Sequence, residues 1–349
     1  MSELGRYLVD YENPDAGIGH SLGHVNNAVK ICLRHGLTFA YSDSQVRKSS
    51  STQWAWRIKQ WIRRMTFRQV YETHNIGDDI NALFGFSTHT KNRSEIELLL
   101  RNKKLRLVQL PATAISIPSN CQDDDEAYRT VDEAVRANPE DGIVFRLPEK
   151  RTGDFEYEAT RAWFKRCYDA AGQGGFPEQY APQLSDTLKV AVHVRRGDLL
   201  PGRQFADLSK RMLPDAWYLQ ILKTILQSSG KRALSVYVVS EGLNGGYCSE
   251  KGVPVNWHEL LPPGRCKVIE LIDSPFIESF RVLTGADILV GSKSGMTHLA
   301  GILGGQTKFV PSMWHSYRGA DGVLELGDAL GQEDLQEIAR LTSTLCLSN

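Results

Sequence analysis

The chain has 349 residues, 41% apolar and 23% charged, with 41 Lys+Arg balanced by 41 Asp+Glu. That length makes two domains of ordinary size or one large α/β domain, and zero net charge argues against general nucleic-acid binding. No run of about 18 apolar residues exists to cross a membrane. Met1–Asp10 lacks the basic start and long apolar core of a secretory leader. The six cysteines (Cys32, Cys121, Cys167, Cys248, Cys266 and Cys346) are scattered with no CxxC pair. They read as free thiols in a reducing compartment, so a cytoplasmic protein is expected.

Arg6–Asp10 reads as a short first strand. A glycine-rich turn follows, Gly17-Ile-Gly19-His20-Ser-Leu-Gly23, then a helix from Val25 to His35 with Val25, Ala28, Val29, Cys32 and Leu33 on one face, stopped by Gly36. Leu37–Tyr41 is the next strand, which makes a βαβ unit and a parallel sheet. In Thr52–Tyr71, Trp54, Ile58, Trp61 and Met65 recur at helical spacing among Arg57, Lys59, Arg63, Arg64 and Arg68. Ile96–Leu100 reads as helix, Leu105–Leu110 as strand, Cys121–Glu126 as a charged loop, Ile143–Leu147 as strand and Phe155–Ala171 as helix. Gly172–Pro177 breaks the chain, and the domain hinge is placed there, giving domains 1–178 and 179–349.

Beyond the hinge the alternation is regular. Strands are read at Val190–Val194, Leu234–Ser240, Lys267–Ile272, Asp287–Gly291 and Lys308–Val310. Helices are read at Asp215–Ser228, with Asp215 as cap, and at Phe276–Thr284 and Gly295–Leu303. This is the pattern of a doubly wound α/β domain.

Two strand tips carry the chemistry. The run Lys189-Val-Ala-Val-His193-Val-Arg195-Arg196-Gly-Asp198 is a buried strand that delivers two guanidiniums into the following loop. Ligands of open α/β sheets sit beyond the carboxyl ends of strands, and the planar guanidinium fork matches phosphate or carboxylate. In Ala286-Asp287-Ile-Leu-Val-Gly291-Ser292-Lys-Ser294-Gly295 a strand ends in small residues and a helix starts at once. Backbone N–H groups and the helix dipole favour an anion there, with Ser292, Ser294 and Thr297 as added donors. The spacing is not that of a P-loop.

His193-Val-Arg195-Arg196-Gly-Asp198 resembles the His-x-Arg-Arg-x-Asp motif of the fucosyltransferase superfamily, which includes the α1,6-, α1,2- and protein O-fucosyltransferases and the nodulation fucosyltransferase. The segment from Ala286 to Ala300 is similar to that superfamily's C-terminal motif. Gly17-Ile-Gly19-His20-Ser-Leu resembles its Gly-Leu-Gly-Asn-Gln-Leu segment, with His in place of Asn. Residues 45 to 185 match nothing in that group. The resemblance implies a GT-B fold, two Rossmann-like doubly wound domains facing a central cleft. It implies inverting, metal-independent transfer of fucose from GDP-fucose to a glycan or glycoconjugate hydroxyl. Arg195 would contact the donor diphosphate, with Arg196 and Asp198 near ligand or paired structurally. His193 and Asp287 would contact the nucleoside, and Ser292, Ser294 and Gly295 the phosphate oxygens. Gly17, Gly19 and His20 would line the other side, with His20 a candidate base. Asp207 and Glu241 are weaker base candidates, and Glu241, after Val236–Ser240, is also read as a group for ribose or sugar hydroxyls.

Other readings compete. A non-catalytic nucleotide-sugar or phosphoglycan binder would keep the same fold. Another sugar nucleotide could serve as donor. Asp123-Asp-Asp125 spells a metal-binding carboxylate cluster but reads as a solvated loop. Gly17–Gly23 is one residue longer than the dinucleotide fingerprint, which with Asp43 leaves a dehydrogenase reading. Trp54, Trp61, Arg63 and Arg64 suit a helix lying on a membrane surface, a core helix with a solvated basic face, or a basic rim for an acidic acceptor.

Overall fold

The computed structural model describes residues 5–10, 18–41, 76–110, 124–148, 153–182, 186–200, 206–242, 246–313 and 315–348. The side chains of Ile18, His20, 76–78, 124–127, Asp198, Asp207 and Ser348 are outside that description. The chain divides into two compact units. The first holds Met1–Gln173 and Trp314–Arg318; the second holds Gly174–Met313 and Gly319–Asn349.

In the first unit five parallel strands stand in the order β3-β2-β1-β5-β4. They are β1 (Tyr7–Val9), β2 (Thr38–Tyr41), β3 (Lys91–Asn92), β4 (Arg106–Gln109) and β5 (Ile143–Arg146). The main helices are α1 (Ile18–His35), α2 (Ile76–Phe84), α3 (Arg93–Arg101), α4 (Asp124–Arg136) and α5 (Arg161–Ala170). An aromatic cluster locks α2 to α5. Phe84 stacks on Phe86 with ring centroids 4.9 Å apart, and Phe164 meets both edge-on at 5.7 Å.

The helix α1 carries an unusual buried polar face: His24, Asn26, Asn27 and Lys30. Lys30 Nζ lies 2.8 Å from the buried carboxylate of Asp154, which also accepts from Tyr128 Oη at 2.7 Å. Asn26 donates to the carbonyls of Asp154 and Glu156, each at 2.9 Å. Gly23 permits this crossing, because a methyl there would meet the Phe155 ring at 2.8 Å. The crossing corrects the helix read over Phe155–Ala171. Asp154 and Glu156 are tied to α1 through their carbonyls, and helix begins only at Arg161. The 121–126 loop reading is corrected too, since helix runs from Asp124.

The second unit has six parallel strands in the order β11-β10-β9-β6-β7-β8. They are β6 (Thr187–Val194), β7 (Ala233–Ser240), β8 (Cys266–Ile272), β9 (Ile288–Val290), β10 (Thr307–Pro311) and β11 (Val323–Leu326). Numbered within the unit, this is the 3-2-1-4-5-6 arrangement of a doubly wound sheet, with its switch point between β6 and β9. β6 is buried along nearly its whole length, so its sequence is apolar without strict alternation.

The main helices are α6 (Asp215–Ser228), α7 (Phe276–Gly285), α8 (Gly295–Leu303) and α9 (Gln332–Ser348). The buried stripe Trp217, Tyr218, Ile221, Leu222, Ile225 and Leu226 sets α6 on the sheet. α9, not read from the sequence, packs against α6 through Leu335, Ile338, Leu341 and Leu345. α8 is buried from Thr297 to Leu303. Among the described residues no helix is long and apolar enough to cross a membrane.

Asp154→Ala strands the Lys30 ammonium in the interior of the first unit. The expected loss of stability is about 3–5 kcal/mol, measured by urea unfolding of the whole chain. A loss below about 1 kcal/mol contradicts the assignment of Asp154 as the partner that makes this burial tolerable.

Candidate functional site at the switch point of the second sheet

β6 and β9 pair in parallel, Val190 with Ile288, Ala191 with Leu289 and Val192 with Val290. Their carboxyl ends therefore bring His193–Gly197 beside Gly291–Gly295. Parallel strands diverge into opposite crossovers at this point, which opens the crevice where such sheets hold ligands.

Gly291 turns the chain sharply after β9. A methyl there would lie 2.3 Å from Thr297 Cγ2 and 2.9 Å from Val310 Cγ1. Its absence lets the first turn of α8 fold back onto the strand tip. Ser294 then caps the helix, its side chain accepting from the Met296 N–H at 3.3 Å. The first turn of a helix leaves backbone N–H groups without internal acceptors, and the dipole adds positive potential there.

His193 is almost fully buried beneath this turn. Its Nδ1 lies 2.6 Å from Thr297 Oγ1 and 3.0 Å from Ser292 Oγ. Burial first, and then the nearby Arg195 charge, pull its pKa down to about 3. The ring is thus neutral at physiological pH. Arg195, next along the chain from Val194, is only partly buried. Glu241, at the tip of β7, lies against the Gly197 backbone. A methyl on Gly197 would meet Glu241 Cβ at 2.5 Å, and Gly197 has a φ of +49°, which favours glycine. The structure brings His193, Arg195, Glu241, Ser294 and Gly295 to one edge of the sheet.

Other residues read from the sequence are placed elsewhere. Arg196 is wholly buried, in the structural pairing that the sequence left open beside ligand contact. Its Nη2 donates to Asp215 Oδ1 at 2.5 Å and its Nη1 to the carbonyl of Arg195 at 2.9 Å. Tyr247 also donates to Asp215, and Glu250 stands 3.8 Å from the guanidinium. Asp215, read as a helix cap, is instead the first residue of α6 after the cap position Pro214. This carboxylate partner was missed; the available signal was an acidic residue opening the helix that follows an Arg pair.

Asp287 lies at the opposite end of β9, where it accepts the Lys189 backbone N–H at 2.7 Å. Four residues, three of them in β9, lie between it and Ser292, a span of about 16 Å. The Ser292 hydroxyl is turned inward, fully buried and bonded to His193. Gly19 and the backbone of His20 open α1 in the first unit. Gly17, Asp43, Trp54, Trp61, Arg63, Arg64 and Asp123, and the side chains of His20, Asp125, Asp198 and Asp207, lie outside the described residues. Among the described residues no group of three or more His, Cys, Asp or Glu could hold a metal ion.

No protein-family model matches the sequence, and no curated protein matches it. Solved structures align along nearly the whole chain, among them the following three. The ADP-heptose lipopolysaccharide heptosyltransferase II of E. coli is 11% identical, covers 98% of this chain and 99% of its own, and has a TM-score of 0.41. The E. coli heptosyltransferase WaaC with ADP is 13% identical, covers 97% and 99%, and has a TM-score of 0.42. A glycosyl transferase family 9 protein from Veillonella parvula is 11% identical, covers 99% of both chains and has a TM-score of 0.40.

The depressed pKa of His193 has a sign. Unfolded, the imidazole binds a proton below its ordinary value of 6.5; folded, it stays neutral down to about 3. The unfolded state therefore holds more protons in that window, and stability falls as pH drops through it. Denaturant midpoints taken at about pH 7.5 and about pH 5 are expected to differ by less in His193→Gln than in the wild type. Equal differences in the two proteins contradict a buried neutral imidazole.

Proposed function

We propose that this chain is an inverting, metal-independent glycosyltransferase with two Rossmann-like units, transferring fucose from GDP-fucose to a glycan or glycoconjugate hydroxyl. The observation that carries the nucleotide-sugar reading is the convergence of His193, Arg195 and the capped start of α8 at the switch point of a 3-2-1-4-5-6 sheet. A neutral imidazole, a guanidinium and the positive end of the α8 dipole make a cradle for an anion. Transfer of a sugar from a nucleotide builds negative charge on the departing diphosphate, and preoriented donors stabilise that charge as it forms. Arg195 is the group for this role. Glu241 sits at the tip of the second strand of the unit, the place from which an acidic side chain reaches ribose hydroxyls in sheets of this order. The choice of fucose and guanosine is supported by the likeness of His193–Asp198 to the fucosyltransferase motif.

The test is a thermal-shift panel of GDP, GDP-fucose, UDP, CMP, ADP and NAD, followed by transfer assays with EDTA present. Ligands that bind the folded state alone raise its melting temperature by mass action. GDP and GDP-fucose are expected to shift it, and activity is expected to survive EDTA. Arg195→Ala is expected to keep the fold and lose at least about a hundredfold in kcat, because the lost contact strengthens in the transition state. A shift with UDP, CMP or ADP alone changes the sugar nucleotide. A shift with NAD alone, or full turnover by Arg195→Ala, overturns the reading.

A further inference from the structure

Three polar groups close a cluster under the switch point: His193 Nδ1, Ser292 Oγ and Thr297 Oγ1. Their separations are 2.6 Å for His193 to Thr297, 3.0 Å for His193 to Ser292 and 3.3 Å between the hydroxyls. Ser292 and Thr297 are both fully buried. A further hydrogen bond enters the cluster, from the Ser292 backbone N–H to Thr297 Oγ1 at 3.1 Å. The side-chain protons must be satisfied within the cluster.

Counting them decides the tautomer of the imidazole. If Nδ1 carried the proton it would donate to Thr297, Thr297 would donate to Ser292, and the Ser292 hydroxyl proton would have no acceptor. A buried donor left without an acceptor costs about 1–3 kcal/mol. If Nδ1 is bare, Thr297 donates to it and Ser292 donates to it or to Thr297, and no proton is stranded. The cluster therefore places the ring proton on Nε2. Among the described residues that nitrogen has no hydrogen-bond partner. His193 stands two residues before Arg195 at the same strand end.

We propose that Thr297 and Ser292 are positioning residues that lock His193 as its Nε2–H tautomer, and that this N–H donates to an anionic phosphate oxygen of the bound nucleotide beside Arg195. The second half rests on the nucleotide reading above; the first half does not. The donor is neutral, so it orients the phosphate without adding a charge that burial would penalise. The Gly291 backbone makes the lock possible, since any side chain there would push Thr297 off the strand tip.

The experiment uses the full chain labelled with nitrogen-15 and long-range correlation of its imidazole nitrogens. His193→Gln identifies the His193 signals. The ligand-free protein is expected to show a single Nε2–H tautomer for His193; a Nδ1–H form or an interconverting mixture overturns the lock. Adding GDP is expected to move the Nε2 proton resonance downfield. Ser292→Ala combined with Thr297→Val, which removes both hydroxyls that can donate to Nδ1, is expected to give mixed tautomers and to weaken GDP binding about ten- to a hundredfold. Thr297→Ser is expected to keep both tautomer and affinity. The double variant with wild-type tautomer and affinity overturns the positioning role. If the lock is found and none of the nucleotides in the panel binds, the phosphate donation and the nucleotide reading fail together while the lock stands.

Discussion

Pairing of β6 with β9 is the constraint on which the site rests. The two tips are 99 residues apart between His193 and Ser292, and only this parallel register sets them side by side. Between them the chain must make β7 and β8 on one side and return on the other, because parallel neighbours need a crossover rather than a hairpin. The reversal of strand order produces the crevice. The chemistry then depends on what the two tips carry, a basic pair on one and a glycine turn on the other.

The Arg pair shows how a strand end sorts its residues. Successive side chains leave a strand on opposite faces, so adjacent arginines cannot share one environment. Arg195 stays partly open at the edge. Arg196 goes inward against Asp215, Tyr247 and Glu250, and its Nη1 holds the carbonyl of Arg195. A fully buried guanidinium is tolerated only with such partners. Arg196 is anchored, while Arg195 keeps part of its surface exposed.

The first unit follows a different economy. Its α1 does not present an apolar stripe alone, since Asn26 and Lys30 are buried among Asp154, Tyr128 and Thr160. These bonds hold an extended segment across the helix where sequence periodicity called for more helix. Phe155 in that segment packs at a tilt against His315, with ring centroids 4.2 Å and ring planes 31° apart. The connection from β10 to β11 thus enters the first unit before β11 completes the second sheet.

By itself the sequence determined the parallel α/β character, most strands of the second unit, the position of Arg195 and the strand–glycine–helix turn at Gly291–Gly295. Those are local signals: β-branched runs, helical spacing and glycines where backbone must come close. It did not reveal β11, α9 or the entry of 314–318 into the first unit, whose patterns are short or weakly periodic. Nor could it assign partners. Asp287 and Ser292 stand five residues apart, yet one ties Lys189 at the far end of β6 while the other lies beneath His193. The same hydroxyl or carboxylate serves a ligand or a neighbour according to the face it is given. That face is set by strand register and burial, which arise only when distant segments pack together.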